Sequence, residues 1–155
     1  MDGSVPLPVT SCMNDKAFLD TDILVYAHES GSGHKHEQAR ALVEKLWNSG
    51  GGVLSTQVLQ ELCINLRRKT AKPWTREETQ NLIEDYKDWQ IVINTPDSII
   101  EAMTIEARYQ ISFWDALIVQ AAGISGVATL YSEDLSDGQV YGTVRVVNPF
   151  KQTAT

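Results

Sequence analysis

The 155-residue sequence has only two cysteines, Cys12 and Cys63, and three histidines. The cysteines form no CxxC pair and no zinc-ligand spacing. That excludes a disulfide framework or a metal finger and leads us to expect reduced thiols in a cytoplasmic protein. No apolar run approaches the ~20 residues needed to span a bilayer. The N-terminus lacks the basic and apolar regions of a secretory signal, so no membrane partner is expected. Cations are scarce as well: 13 Lys and Arg stand against 20 Asp and Glu, for a formal charge of −7. A general basic coat for nucleic acid is therefore excluded. An enzyme that holds nucleic acid through metal ions and a local basic patch is not. The acidity also suits a partner protein with a basic segment.

What the chain does have is 43% hydrophobic content, enough for one well-packed domain. Residues 1–14 carry Gly3, Pro6 and Pro8 without periodicity and read as a disordered arm. Met13 directly precedes the first apolar run and is the expected native start. The domain is placed at residues 15–150, with 151–155 as a disordered tail.

Inside the domain, apolar runs alternate with helical patterns. Short strands are expected at Ala17–Leu19, Val53–Leu54, Ile91–Ile93, Val127–Tyr131 and Val144–Val147. Helices are expected from Thr21 to Tyr26, from His34 to Asn48, from Ser55 or Thr56 through Lys69, from Thr75 to Trp89, from Pro96 to Tyr109, and from Ser112 onward. Thr75 with Glu78 has the spacing of a capping box, and Thr95-Pro96 that of an N-cap followed by proline. Strands alternating with helices give an α/β fold, a central parallel sheet flanked by helices.

The stretch Phe18-Leu19-Asp20-Thr21-Asp22-Ile23-Leu24 organises the functional reading. An apolar strand ends on Asp20, and a helix starts at once. Strand C-termini are where ligands bind in open α/β sheets. Three other acids could reach the same edge. Glu61 borders the apolar stripe of the helix after strand two, Asp115 sits in the first turn of the most apolar helix, and Asp134 follows strand four. Each has a plainer reading: an exposed helix acid, a capping group three residues after Ser112, a turn residue. Taken together they suggest a cluster. Two carboxylates ~4 Å apart repel by about 4 kcal/mol at an effective dielectric near 20, so a cluster needs a cation or shared protons. An all-carboxylate site without Cys or His suits Mg²⁺ or Mn²⁺, which can serve phosphodiester hydrolysis.

These segments resemble the PIN domain family, most closely the VapC-like ribonuclease toxins of bacterial toxin–antitoxin pairs. The matching stretches are Phe18–Ala27, Ser55–Leu62, Phe113–Val119 and Leu130–Leu135, with Val146–Phe150 resembling the family's end. The resemblance implies a PIN-like fold and a Mg²⁺- or Mn²⁺-dependent endoribonuclease acting on structured RNA. It implies that Asp20, Glu61, Asp115 and Asp134 are the metal-holding and catalytic acids, with Ser132 a supporting hydroxyl. Asp22 stands where Asn is frequent and is read as support or an extra ligand. Asp137 is an alternative to Asp134. The resemblance further implies a cognate antitoxin, whose arginine could replace the metal's charge, and a homodimer.

Arg67-Arg68-Lys69, with Lys72 nearby, is the main basic cluster. It reads either as a helix end complementing its dipole or as an RNA-contacting rim. His28, His34 and His36 are expected to be exposed rather than ligands, and the tryptophans to serve packing, with Trp114 the exception because it adjoins Asp115. Two rival readings stay open. One is an aspartyl-phosphate phosphatase of haloacid dehalogenase type, suggested by Asp20-x-Asp22 but lacking a well-placed lysine. The other is a catalytically inactive PIN module that binds RNA or a partner.

Overall fold

The computed structural model describes residues 16–151. The expectations for residues 1–14, including Met13 and Cys12, and for residues 152–155 lie outside them. Among the described residues the strands are β1 (Ala17–Leu19), β2 (Gly52–Ser55), β3 (Gln90–Val92), β4 (Thr129–Tyr131), β5 (Val140–Tyr141) and β6 (Val144–Val147). The helices are α1 (Thr21–His28), α2 (His34–Ser49), α3 (Thr56–Arg68), α4 (Arg76–Tyr86), α5 (Pro96–Tyr109) and α6 (Phe113–Ser125), with a short 3-10 turn at Ser30–Ser32.

The strands form one sheet in the order β3-β2-β1-β4-β6-β5. All pairs are parallel except β5 with β6. In register, Phe18 faces Val53 on one side and Leu130 on the other. Phe18, Leu19, Val53, Leu54, Leu130 and Val146 are fully buried. This is why β1 and β2 read as continuous apolar runs rather than alternating ones: helices cover the sheet. Burying each such side chain contributes about 1.5–3 kcal/mol.

The topology positions the site. From β1 the chain works outward to β2 and β3, then returns to β4 on the other side of β1. Connections leaving the C-terminal ends of β1 and β4 therefore run opposite ways and leave a crevice between them.

Several element ends differ from the sequence reading, each for a local reason. Helix α4 stops at Tyr86, because a turn through Lys87 and Asp88 brings Trp89 back to the sheet. β3 begins one residue early, at Gln90, and leaves Ile93 62% exposed. The sheet is not wholly parallel, since β5 folds back on β6 as a short hairpin. In the triple glycine, Gly50 closes α2 at a left-handed φ of 74°. Gly52 already belongs to β2. A Cβ there would stand 2.3 Å from the Trp89 ring, so only glycine fits.

Tyr86, Trp89 and Trp47 pack as mutually tilted rings with centroids 5.0–5.3 Å apart. His28, expected to be exposed, is half-buried beside them, with its Nε2 2.6 Å from the Tyr86 hydroxyl. No helix among the described residues is long and apolar enough to cross a membrane.

Candidate functional site

Asp20 is carried out of β1 and caps α1, its Oδ1 accepting from the Thr21 amide at 2.7 Å. Its other oxygen accepts from the Ser132 hydroxyl at 2.8 Å, just past β4. The Asp20 amide in turn donates to the Tyr131 carbonyl at 2.9 Å. The two strand ends flanking the crevice are thus bound to one another through Asp20. Ser132, fully buried, also accepts from the Leu135 amide at 3.2 Å, which folds the following turn inward.

That turn delivers Asp134. The amides of Glu133 and Asp134 both donate to Oδ2 of Asp22, each at 3.2 Å. One oxygen from each of Asp20, Asp22 and Asp134 lies within 4.8 Å of the others. Glu133 turns away to Lys35 and the Tyr26 hydroxyl. Asp137 is elsewhere, accepting from the Asn148 amide at 2.8 Å with Lys151 3.8 Å away.

Helix α3 supplies the next wall. Both Glu61 oxygens are held: Thr21 Oγ1 donates to one at 2.6 Å and Gln57 Nε2 to the other at 3.1 Å. Gln57 Nε2 also donates to the backbone carbonyl of Trp114 at 3.2 Å. The buried Gln57 therefore ties α3 to the first turn of α6, where Asp115 stands. Ser112 caps that turn by accepting from the Asp115 amide at 3.1 Å. Asp20, Asp22, Glu61, Asp115 and Asp134 all line one cavity of about 280 Å³.

The electrostatics are unfavourable for the protein alone. Burial pushes the Asp20 carboxyl up to about 7, against the opposing hydrogen bonds from Ser132 and Thr21. It pushes Asp22 up to about 8, with the charges of Asp20 and Asp134 adding to the effect. Asp115 is raised too, first by burial, while the Ser112 hydroxyl holds it down. Oδ1 of Asp22 is buried without a hydrogen-bond partner. An orphan carboxylate oxygen beside other acids, in an all-oxygen donor set, is the environment a hard divalent cation satisfies. The residues present fit such an ion.

The sequence reads Asp22 as support or an extra ligand, and one of its oxygens lies within 4.8 Å of an oxygen of Asp20 and of Asp134. The basic cluster divides. Lys69 lines the acid cavity, while Arg67 lines a separate groove between α3 and α4. Two participants went unnoticed in the sequence, Gln57 and Asn65. Their signal was a spacing of four: Gln57, Glu61, Asn65 and Lys69 form one ridge of α3 that lines the cavity.

The PIN domain family model matches residues 17–136. A chain of a toxin–antitoxin complex from Klebsiella pneumoniae superposes with a TM-score of 0.64 at 17% identity, over 88% of this chain and 100% of that one. VapC20 of Mycobacterium tuberculosis, described as a sarcin-ricin-loop-cleaving toxin, gives 0.60 at 20% identity, over 77% and 92%. DNA-bound VapBC from Salmonella typhimurium gives 0.57 at 20% identity, over 84% and 96%. At these identities the likeness is one of fold. No curated protein matches this sequence.

Proposed function

The chain belongs to the PIN domain family, and on that premise we propose that it is a Mg²⁺- or Mn²⁺-dependent endoribonuclease, the toxin of a toxin–antitoxin pair. The observation that carries this reading is the convergence of acids on one crevice, with Asp22 Oδ1 buried and unpartnered among them. Asp20, Asp22 and Asp134 would hold the ion, with Glu61 and Asp115 completing the acidic wall. When bound, it supplies Lewis acidity toward a phosphodiester.

The protein's own groups do the rest. Ser132 and the Thr21 amide fix both oxygens of Asp20, so its orientation is set before substrate arrives. Thr21 and Gln57 do the same for Glu61. Asp115 keeps a raised proton affinity, which suits it to take a proton from an attacking water. In-line attack by that water would form a bond to phosphorus and break the bond from phosphorus to the 3′-oxygen, which takes a proton from solvent, so the products are a 5′-phosphate and a 3′-hydroxyl. Structured RNA such as tRNA or ribosomal RNA is the proposed substrate, with Lys69 meeting its backbone at the cavity and Arg67 and Arg68 meeting it farther out, Arg67 from the groove between α3 and α4. The proposed partners are a cognate antitoxin, whose arginine would satisfy the acids in place of the ion, and a second copy of the chain. A cytoplasmic setting completes the proposal.

Family membership removes the ground for the phosphatase reading. The test is cleavage of purified tRNA and ribosomal RNA with Mg²⁺, with Mn²⁺ and with EDTA, by the wild type, Asp20→Ala and Asp115→Ala. Cleavage that needs both ion and acids supports the proposal. Intact RNA binding without cleavage would replace it with the inactive binding module.

A further inference from the structure

We propose that the mouth of the acid cavity is a nucleotide subsite, in which Trp114 stacks an unpaired base and Lys69, with Asn65, takes a phosphate next to the scissile one. This deepens the ribonuclease reading and rests on it.

The ridge Gln57-Glu61-Asn65-Lys69 changes character along its length. Gln57 is buried, Glu61 and Asn65 are half-buried, and Lys69 is exposed. The i, i+4 spacing keeps all four on one face over about 18 Å of helix. The ridge therefore runs from the carboxylates outward to a single ammonium group. Lys69 is the sole cation among the residues lining the cavity, which otherwise presents five acids. A polyanion approaching this crevice finds its one attractive lining group at the outer end of that ridge, at Lys69 beside the neutral Asn65.

Trp114 lines the same cavity and is 63% exposed. A large indole in water beside a cluster of acids gains nothing from packing there. Its placement is nonetheless built. Its backbone carbonyl is held by the buried Gln57. Its ring meets Phe113 edge-on, centroids 5.3 Å apart at 74°. Phe113 in turn packs against the buried cluster of Ala102, Ala116 and Leu117. The platform thus stands on a fixed support, which lowers the ordering cost of binding. Every base has a π-face, and stacking on an aromatic ring is a sequence-tolerant way to hold a single strand. A base inside a duplex has both faces covered, so this subsite selects loops, bulges and ends. The structured RNA proposed as substrate would then be cut where it is unpaired.

The test uses the full chain with Mn²⁺, a short single-stranded RNA of mixed sequence, and the same strand in a duplex. Trp114→Ala should raise KM for the single strand roughly tenfold, with kcat within about twofold of wild type. Trp114→Phe should retain most of the wild-type KM. Lys69→Ala should raise KM and reduce the salt slope of binding by about one. Thermal melts of all three should match wild type, since the replaced side chains are exposed. Unchanged KM in both alanine variants, with metal-dependent cleavage intact, would overturn the subsite. Binding is read separately by tryptophan fluorescence in Asp115→Asn, as the quench lost on adding Trp114→Phe. If no RNA is cleaved with either ion, the ribonuclease reading fails, and this quench still decides the subsite. A quench by single strand but not duplex supports it, and no quench overturns it.

Discussion

Both ends of helix α1 bury titratable side chains, and the two ends treat them differently. At the head, Asp20 and Asp22 lie two residues apart on the favourable side of the helix dipole. Burial nonetheless raises both, and one Asp22 oxygen has no partner. At the tail, burial holds His28 down to about 4, and its Nε2 meets the Tyr86 hydroxyl at 2.6 Å. The tail is settled by the protein alone, as a neutral pair among aromatic rings. The head is left short of positive charge. A buried polar group that the fold satisfies contributes to stability, whereas a carboxylate oxygen left unsatisfied among other acids calls for a cation.

The sharpest way to break this contrast is through activity. Asp20→Ala should lower the RNA cleavage rate by more than the roughly 10–100-fold that groups behind metal ligands are worth. Tyr86→Phe should leave kcat unchanged. Equal effects at the two ends would end the distinction.

Ligand-linked stability comes next. Mn²⁺ at about 100 times its dissociation constant should stabilise the wild type by about 2.7 kcal/mol, read from urea unfolding. At the same ion concentration Asp22→Asn should gain clearly less. Removing a partner at the tail has the reverse signature. Tyr86→Phe leaves His28 Nε2 buried and unpaired, at a cost of about 1–3 kcal/mol. The increment from Mn²⁺ should be the same in that variant as in wild type.

The smallest effect is the pH profile of the metal-free protein, where the two ends carry opposite signs. From the unfolded carboxyl value of 3.8 up to about 7 and 8, native Asp20 and Asp22 keep protons that the unfolded chain has released. Stability therefore falls as pH rises through that window. Native His28, at about 4 against 6.5, lacks a proton that the unfolded chain binds. Its contribution is full above about 6.5 and is lost as pH falls toward 4. Urea midpoints in EDTA should fall between neutral and mildly alkaline pH, where the contribution of His28 is full and no longer changes. Asp22→Asn should flatten that decline, and His28→Gln should remove the opposing rise at acidic pH.

These asymmetries mark what local sequence could and could not convey. Asp20, Asp115 and Asp134 were visible because each sits at a strand end or helix start, places whose location follows from chain order. Glu61 was visible by its angular position on α3. The surroundings of Asp22 are not legible locally, because its Oδ2 accepts from two amides, of Glu133 and Asp134, more than a hundred residues away. His28 was misplaced for the same reason: a histidine at a helix end reads as exposed until a tyrosine 58 residues on is packed against it. The sheet order follows from alternating elements, but β5 has two residues and no periodicity to betray it. The apolar spacing of α4 runs on to Trp89, whereas the helix ends at Tyr86. The turn that follows brings Trp89 against Gly52, a contact no local periodicity encodes.

That contact also acts as a ruler. Trp89 immediately precedes β3, and its indole occupies the space a side chain on Gly52 would fill. β2 and β3 then pair as Val53 with Gln90, Leu54 with Ile91 and Ser55 with Val92. If β3 slid one residue toward the C-terminal end of β2, the ring would meet the side chain of Val53 rather than bare backbone. One missing methyl group and one bicyclic ring thus bar the outermost parallel strand from slipping in that direction.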